Sequence, residues 1–167
     1  DSSLSGKIQA GKFILKKSMT IPEIAQALLT GRGNEVVVTI REGLTLEQVD
    51  QYLTAEKLLP AGSFLNCAKN CVIEDNFSFL HSRPKNASLE GYLFPDSYFE
   101  DPDSISPKGL IMRSLRNLDE KLSSELRSEI AKNGYSIHQI ITMASLIEKE
   151  SRSTEEKSII SGILWKR

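Results

Sequence analysis

Apolar residues recur at helical spacing in two similar stretches of the N-terminal third, "TIPEIAQALL" and "TLEQVDQYLT", which align when Thr20 is placed over Thr45. Each stretch opens with a threonine that is followed three residues later by Glu23 or Gln48, the pattern of a capping box at a helix N-terminus. A run with strand character precedes each stretch, first "GKFILKK" and then "NEVVVTI". This weak repeat of about 25 residues predicts the order strand, helix, strand, helix.

The middle of the chain has less regular periodicity. Residues 60–70 are predicted to form a short helix, and the stretch "EDNFSFLHSRPKNA" after it is predicted to be a loop. The next segment, "SLEGYLFPDSYFEDPDSISP" from Ser88 to Pro107, is unusually dense in aromatic residues. Its prolines at positions 95 and 102 forbid a long helix, so we expect an extended or irregular segment that is tied down by its aromatic rings.

Helical periodicity dominates the last third of the chain. A helix is predicted from Gly109 to Gly134, with the second glycine as its C-cap. Two further helices, "SIHQIITMASLIEKES" and "STEEKSIISGILWKR", each open with a capping-box pattern. The order of elements predicts an α+β protein that is rich in helices. The apolar stripe of the last helix runs to the end without a Gly or Pro stop, so we expect a truncated domain.

The helix "SIHQIITMASLIEKES" carries a carboxylate where an apolar residue is due. A helix advances by about 100° per residue, which places Glu148 inside one arc of about 120° together with apolar side chains. The apolar members of this arc are Ile137, Ile140, Ile141, Ala144 and Ile147. Glu150 points to the opposite side, where solvent is expected. Since apolar residues occur nearly all round the helix, it is predicted to be central to its domain.

An ionised carboxylate without partners costs several kcal/mol to bury. Glu148 is therefore expected to pair with a cation, to reach past the helix end, or to take up a proton and gain a raised pKa. The last alternative is what a general acid needs at neutral pH. Lys149 and Arg152 are nearby cations that could satisfy the carboxylate without any catalytic role. The residue pattern leaves these alternatives open.

A second carboxylate, Glu90, lies beside Tyr92 in the aromatic segment. Carbohydrate sites combine carboxylates with aromatic faces, because sugar rings present C–H patches to aromatic surfaces and hydroxyl groups to acids. Core packing is the plainer explanation of the aromatic residues and fits Phe94 and Phe99 better. The phenolic hydroxyl groups of Tyr92 and Tyr98 suit either role.

Composition and charge exclude several classes of protein. The 167 residues carry 21 Lys and Arg against 22 Asp and Glu, a net charge of −1 without large charged blocks. This balance offers no electrostatic footprint for nucleic acid or for an anionic membrane surface. No apolar run approaches the roughly 20 residues that span a bilayer. Nucleotide-binding loops, serine triads and zinc-peptidase motifs are absent from the sequence, so no cofactor is predicted.

The cysteines, Cys67 and Cys71, are four residues apart and would share one face of a helix. A zinc site would need two more soft or imidazole ligands, and only His81 and His138 are available, so no metal is predicted. A disulfide on the helix surface and two free thiols are the remaining alternatives.

Two segments, "SLEGYLFPDSYFE" and "IITMASLIEKES", resemble in order and separation the signature segments of the endolytic murein transglycosylase family, the MltG or YceG-like proteins. The stretch "AGKFILKKSMTIPEIAQALLTGRGNEVVVTIREGLTLEQV" resembles the LysM-like region of that family and the segment after it. The resemblance covers nearly the whole chain. It implies a small LysM-like β/α subdomain at 1–42, with a boundary that could extend to about 80, and the N-terminal part of a mixed, helix-rich catalytic domain at 43–167.

The activity that the resemblance implies is cleavage of the β-1,4 bond between N-acetylmuramic acid and N-acetylglucosamine within peptidoglycan strands, leaving a 1,6-anhydro end on the muramic acid. The first glutamate of the family's EKE motif is catalytic, and this position is Glu148 here, as the single general acid and base. The residues predicted to bind substrate, by lining the cleft or packing behind it, are Glu90 at the LEG-motif position, Tyr92, Asp96, Tyr98 and Ser145.

Two positions depart from the family pattern. Arg41 stands where a proline usually precedes the Glu-Gly pair in "TIREG", and Lys166 replaces an asparagine near the end. The resemblance also implies a membrane helix before this chain and a further segment after it that completes the cleft. A chain with these ends could therefore be inactive by itself.

The resemblance further implies a location and partners. It places the protein on the bacterial inner membrane through a single-pass anchor, with the catalytic part in the periplasm. Glycan strands of peptidoglycan are the implied substrate, and peptidoglycan synthases are implied partners. The alternative from another class is a non-catalytic peptidoglycan-binding module, in which the LysM-like region holds glycan and the rest is scaffold.

Overall fold

The computed structural model describes residues 19–30, 35–73, 77–151 and 153–166, apart from the side chains of Ala27, Leu29 and Thr30. Within these ranges the elements in chain order are α1 (Ile21–Thr30), β1 (Val36–Ile40), α2 (Leu46–Ala55), α3 (Ser63–Asn70), a 3-10 helix (Ser78–Ser82), β2 (Asp96–Glu100), α4 (Pro107–Lys121), α5 (Ser124–Lys132), α6 (Ile137–Glu150) and α7 (Thr154–Leu164). Strands β1 and β2 pair with each other. The described chain is α+β and rich in helices, as predicted.

The chain divides into two compact units. One comprises the residues up to Val37 together with Phe99–Ser104, and the other comprises Val38–Tyr98 together with Ile105–Arg167. The strand predicted at "GKFILKK" lies outside the described residues. Every feature of the candidate site belongs to the second unit.

Two of the four predicted capping boxes, those at the starts of α2 and α6, are formed in full. At α2, the Thr45 hydroxyl accepts from the backbone N–H of Gln48 at 3.2 Å, and the Gln48 side chain accepts from the Thr45 N–H at 2.9 Å. Ser136 and Gln139 make the same pair at α6, at 3.2 and 2.8 Å. These bonds satisfy backbone donors that have no partner within the helix, so local sequence fixes where α2 and α6 begin.

The prediction of one continuous helix from Gly109 to Gly134 is wrong, because this stretch forms two helices, α4 and α5. Helix α4 ends at Lys121, and Ser123 caps the start of α5 by accepting from the Leu126 N–H at 3.2 Å. Serine hydroxyls compete in this way with the helical hydrogen bonds of their own backbone. Arg127 stabilises the break by donating to the Leu122 carbonyl at 2.7 Å and to the Asp119 carboxylate at 2.6 Å.

The core of the second unit forms between α2, α3, α4, the 3-10 helix and the aromatic segment. Its largest fully buried side chains are Tyr92, Phe64, Phe79, Leu53, Leu89, Leu110, Ile111 and Leu115. Helix α4 supplies three of them. No residue of α6 is buried, so the prediction that α6 is central to its domain is wrong. Its apolar side chains are partly exposed, and three of them, Ile141, Ala144 and Leu146, line a cleft beside the helix.

Candidate active site

A cleft of about 490 Å³ runs along one side of α6. Its other walls are the loop from β1 into α2, at residues 40–46, and the start of the aromatic segment at residues 90–95. Glu148, Glu90 and Ser145 all line it. Three of the predicted site residues, from two distant parts of the sequence, are therefore brought together.

The walls of this cleft are apolar and its edges are charged. Its apolar lining residues include Ile40, Leu44, Leu46, Leu93, Ile141 and Leu146. Arg41, Glu42 and Lys149 join the two predicted carboxylates as charged lining residues. A surface that offers apolar area together with a few charged groups suits a ligand that has both C–H faces and hydroxyl groups.

Glu148 is paired with a lysine and is not enclosed. The Nζ atom of Lys157 donates to its Oε2 atom at 2.7 Å, and 39% of the Glu148 side chain and 42% of the Lys157 side chain are exposed. The carboxylate therefore follows the first of the three alternatives, with a partner other than the adjacent Lys149. Glu150, which was predicted to lie on the opposite side of α6, is exposed as predicted.

The α6–α7 connection places Lys157 opposite Glu148. At the end of α6, the Ser151 N–H donates to the Ile147 carbonyl at 2.9 Å. At the start of α7, the Ser153 hydroxyl accepts from the Glu156 N–H at 3.4 Å. Lys157 thus lies in the first turns of α7 and faces the last turn of α6. Sequence reasoning missed this lysine, because the contact depends on the angle of that turn.

Glu90 fastens the aromatic segment to helix α2. Its Oε2 atom accepts from the backbone N–H of Leu46, the first residue of α2, at 3.2 Å. A carboxylate at a helix N-terminus is favoured by the helix dipole and by the unpaired N–H groups there. Glu90 is exposed on its cleft side, so it both lines the cleft and holds two of its walls together.

Two glycines that line the cleft have a positive φ, and at Gly91 a side chain would also collide with α6. Gly91 has φ +79°, and a Cβ atom there would lie 2.8 Å from the Ser145 Oγ and 3.1 Å from the Ile141 Cγ2. Gly43 has φ +72°, and a Cβ atom there would lie 3.9 Å from the Glu148 Cγ. Each glycine follows a glutamate that lines the cleft, so the repeated Glu-Gly pair was the available signal.

Ser145 lies at the point where α6 and the aromatic segment touch. Its hydroxyl donates to the Ile141 carbonyl one turn earlier, at 2.9 Å, and packs against Gly91. This contact gives Ser145 a packing function at the cleft wall. Its predicted contact with substrate stays a prediction.

Tyr92 lies behind the cleft and does not line it. Its ring is 1% exposed and stacks between Phe79 and His138, with ring centroids 6.2 and 6.1 Å away. The hydroxyl shares a hydrogen bond of 2.8 Å with His138 Nδ1, and burial raises the pKa of Tyr92. Tyr92 therefore supports α6 from the core side.

Tyr98 and Asp96 also lie outside the cleft lining. The Tyr98 hydroxyl donates to the Phe94 carbonyl at 2.6 Å, and burial raises its pKa. Asp96 is exposed and accepts from the Ser97 N–H at 2.7 Å and from the Asn117 amide at 2.8 Å, which holds its pKa below the usual value. For Tyr98 the geometry favours packing behind the cleft, whereas the predicted contact of the exposed Asp96 with substrate stays a prediction.

Cys67 and Cys71 form a disulfide across the last turn of α3. Of the alternatives left open by the sequence, the disulfide is therefore the one observed. Across the described ranges, no three His, Cys, Asp or Glu side chains are grouped as metal ligands would be. None of the helices described has the length and apolar character required to cross a membrane.

Comparison with known proteins decides the family. The model of the YceG-like family matches residues 2–167. The chain belongs to the YceG-like family. It is 32% identical, over 95% of its length, to the endolytic murein transglycosylase of Bacillus subtilis (strain 168), and 31% identical, over 96%, to that of Streptococcus pneumoniae serotype 2 (strain D39).

The chain spans about half the length of the first of these curated relatives, or 47%, and 32% of the second. A crystal structure of a YceG-like protein from Listeria monocytogenes has a similar fold, with a TM-score of 0.58 at 24% identity, covering 89% of this chain and 52% of that one.

One of the two positions at which a departure from the family pattern was predicted lies in the candidate site. Arg41, at the end of β1, is exposed and lines the cleft together with Glu42 and Gly43. It places a guanidinium group on the same edge as the carboxylates. Arg41 is therefore a further candidate for contact with a polar ligand.

Proposed function

We propose that this protein is a peptidoglycan lytic transglycosylase and that Glu148 is its general acid and base. The relatives named endolytic murein transglycosylase support the class of reaction. The observation that carries the assignment is that Glu148, at the EKE position, and Glu90, at the LEG position, line one cleft with apolar walls. A glycan chain presents both C–H faces and hydroxyl groups to such a surface.

The bond cleaved is the β-1,4 linkage between N-acetylmuramic acid and N-acetylglucosamine. Protonated Glu148 gives its proton to the linking oxygen, which keeps the electron pair of the broken C–O bond and leaves as a hydroxyl group. The muramoyl 6-hydroxyl then bonds to the anomeric carbon and gives its proton to the Glu148 carboxylate. The product is a 1,6-anhydro end, no water is consumed, and one carboxyl group serves both steps, whereas most glycosidases use two.

Lys157 has a defined part in this cycle as a positioning residue. The Nζ atom of Lys157, 2.7 Å from Oε2, holds the Glu148 side chain in one orientation at the edge of the cleft. Donation of the proton in the first step requires this contact to open. A lysine side chain that is 42% exposed has room to move away when the substrate enters.

The proposed setting is extracytoplasmic, because peptidoglycan lies outside the inner membrane. The Cys67–Cys71 disulfide supports this setting, since such bonds persist in oxidising compartments. A single-pass membrane anchor, a LysM-like region at 1–42 and peptidoglycan synthases as partners belong to the same proposal and rest on the family resemblance.

Digestion of isolated glycan strands tests the assignment. The complete protein, Glu148→Gln and the matched control Glu150→Gln are compared by mass spectrometry of the products, with thermal unfolding as a check of folding. Glu150 is an exposed glutamate on the same helix, so its substitution changes charge equally. We expect anhydro-ended products from the wild type and the control, and a rate lower by about 10²- to 10⁴-fold for Glu148→Gln.

Each other outcome has a clear meaning. Anhydro products that persist at the wild-type rate in Glu148→Gln would remove this residue from the reaction. Products with reducing ends, heavier by one water, would replace transglycosylation with hydrolysis. No cleavage by the wild-type protein, with strands still bound, would favour a non-catalytic glycan-binding module.

A further inference from the structure

A second concave surface, which we call the basic pocket, lies where the end of α3 meets the segment 83–88. Its volume is about 560 Å³, and its lining includes three cationic side chains, those of Lys69, Arg83 and Lys85. Asn70, Asn86 and Ser88 add polar groups that can donate hydrogen bonds. No carboxylate is present among the described residues that line it, so the pocket is suited to an anion.

The charges of the basic pocket are not neutralised by ion pairs within the described part of the chain. The Nη1 group of Arg83 donates to the Ala87 carbonyl, whereas its Nε–H is buried and has no hydrogen-bond partner. A buried donor without a partner costs stability, and like charges gathered in one hollow repel each other. A carboxylate offers acceptors in the planar arrangement that a guanidinium group prefers.

The walls of the basic pocket are held in place before any ligand arrives. Lys69 and Asn70 lie between Cys67 and Cys71, whose disulfide closes the last turn of α3. The opposite wall is a turn, in which the backbone N–H of Ala87 bonds to the Pro84 carbonyl at 2.9 Å. Pre-formed walls reduce the entropy that binding would otherwise cost.

One short stretch of backbone joins the basic pocket to the cleft. Ser88 lines the pocket, and its hydroxyl accepts from the backbone N–H of Glu90 at 3.3 Å, while the Glu90 side chain lines the cleft. Two residues of chain span at most about 7 Å. At this point the linings of the two surfaces are no more than about 7 Å apart along the chain, a distance that an anionic branch of a ligand in the cleft could span.

Peptidoglycan is such a ligand, because each muramic acid can carry a stem peptide that bears free carboxylates. We propose that the basic pocket binds the carboxylates of a stem peptide while the glycan occupies the cleft. This inference rests on the proposed function, and it specifies the substrate as peptide-bearing strands rather than bare glycan.

Binding of a soluble muropeptide tests the basic pocket without requiring catalysis. The probe is a disaccharide pentapeptide, compared by titration calorimetry on the complete protein with the same compound after amidation of its carboxylates. We expect amidation to weaken binding by about tenfold, as the loss of charge-assisted hydrogen bonds predicts. The double variant Lys69→Gln/Lys85→Gln should weaken binding of the unmodified probe to the same extent.

The two lysines are chosen because their side chains are exposed, so that their replacement leaves the fold intact. The control is Lys108→Gln/Lys132→Gln, which removes the same two charges from exposed positions on α4 and α5. Equal affinity for the two probes, or unchanged affinity in the pocket variant, would overturn the proposal. Inorganic phosphate that binds more tightly than the muropeptide would reassign the pocket to another anion.

Cleavage kinetics separate this proposal from the proposed function. The ratio of kcat/KM on peptide-bearing strands to kcat/KM on amidase-stripped strands should be about ten for the wild type and the control, and about one for the pocket variant. A wild-type ratio near one, with both substrates cleaved, would overturn the pocket and leave the transglycosylase standing. A wild type that cleaves neither would contradict the proposed function, and the calorimetry would then decide the pocket.

Discussion

Helices α4 and α6 were both predicted from the helical spacing of their apolar residues, yet their environments are opposite. In α4, Leu110, Ile111 and Leu115 are all 0% exposed, because α4 packs into the core of its unit. In α6 no residue is buried, and Leu146 is 49% exposed. An apolar stripe therefore predicts a helix in both places, but it does not tell whether the stripe is covered.

The difference in burial between the two helices arises where α6 borders the cleft of the candidate site. Helix α6 packs against the 3-10 helix, α5 and α7, and its remaining side faces the cleft. Covering that side with another element would bury its apolar residues and also close access to Glu148. In the described residues, the apolar side chains of α6 that line the cleft are partly exposed, whereas Leu110, Ile111 and Leu115 of α4 are fully buried.

A pair of leucine truncations tests this contrast most directly. Leu110→Ala should lower the free energy of unfolding by about 2–5 kcal/mol, because it leaves a cavity in the core. Leu146→Ala should cost less than about 1 kcal/mol, because half of this side chain already meets water. Denaturant unfolding of both variants measures the difference. A similar loss in both would show that α6 is as well packed as α4.

Gly91 provides the next largest effect, since it sets how closely the aromatic segment approaches α6. Gly91→Ala should cost about 1–3 kcal/mol, from the strain of φ +79° in a residue with a side chain and from the contact with Ser145. The matched control is Gly62→Ala, which has φ +75° but no atom within 4 Å of the added Cβ. It should show the cost of backbone strain alone.

A double-mutant cycle isolates the steric part of this effect. Ser145→Ala removes the Oγ atom that the new methyl group would meet, so it should restore at least about 0.5 kcal/mol to Gly91→Ala. Additive effects of the two substitutions would mean that the segment moves away from α6 instead, and the close approach would then not be rigid.

Much of the fold could be predicted from short-range signals, because those signals act within a few residues. The capping boxes at Thr45 and Ser136 and the strand at β1 were identified from local pattern and are confirmed. The break at Ser123 was missed, because the apolar period continues across it and the stabilising contacts come from Arg127, in the next helix.

The candidate site could be predicted only in part. Glu148 and Glu90 were selected, but the arc argument assumed that α6 is buried, and burial depends on which other elements cover a helix. Lys157 escaped notice because its contact with Glu148 crosses between two helices. Tyr92 and Tyr98 carry aromatic and polar groups that suit a binding site equally well, and only the tertiary structure turns their hydroxyl groups inward.

Lys157→Gln should show whether Lys157 acts by orienting Glu148 or by stabilising the fold. An exposed ion pair contributes less than about 1 kcal/mol to folding, so the melting temperature should hardly change. Loss of the ammonium group should lower kcat by about tenfold with little change in KM, because Lys157 contacts the proposed catalytic carboxylate and does not line the cleft proposed to bind glycan.

Lys157→Arg should recover part of the lost rate, and Lys132→Gln, at an exposed position on α5, should match the wild type. A fall in thermal stability that parallels the loss of rate would assign Lys157 a structural role only. A rise in KM with unchanged kcat would place it in substrate binding.

The smallest effects come from the two tyrosines behind the helices, Tyr98 against α4 and Tyr92 against α6. Each Tyr→Phe substitution should cost about 1 kcal/mol, the typical net value of one hydrogen bond. The Ser114 hydroxyl also donates to the Phe94 carbonyl, at 3.1 Å, so the loss at Tyr98 is partly compensated there. A loss at Tyr92 that greatly exceeds the loss at Tyr98 would show that α6 depends on its core side more than α4 does.

Alkaline titration checks the same pair, because burial raises both pKa values above the ordinary value of about 10. The folded state then holds the phenolic protons more tightly than the unfolded state. The stability from these groups is present in full below about pH 10 and is lost as the pH rises through the folded-state pKa values. When the pH is raised, the ultraviolet absorbance of tyrosinate should show two ionisation steps above the ordinary tyrosine pKa in the wild type, and one such step in each Tyr→Phe variant. If Tyr92 ionised at the ordinary pKa while Tyr98 ionised at a higher one, water would reach the core side of α6 as well as its cleft side. Tyr92 would then not support α6 from the core.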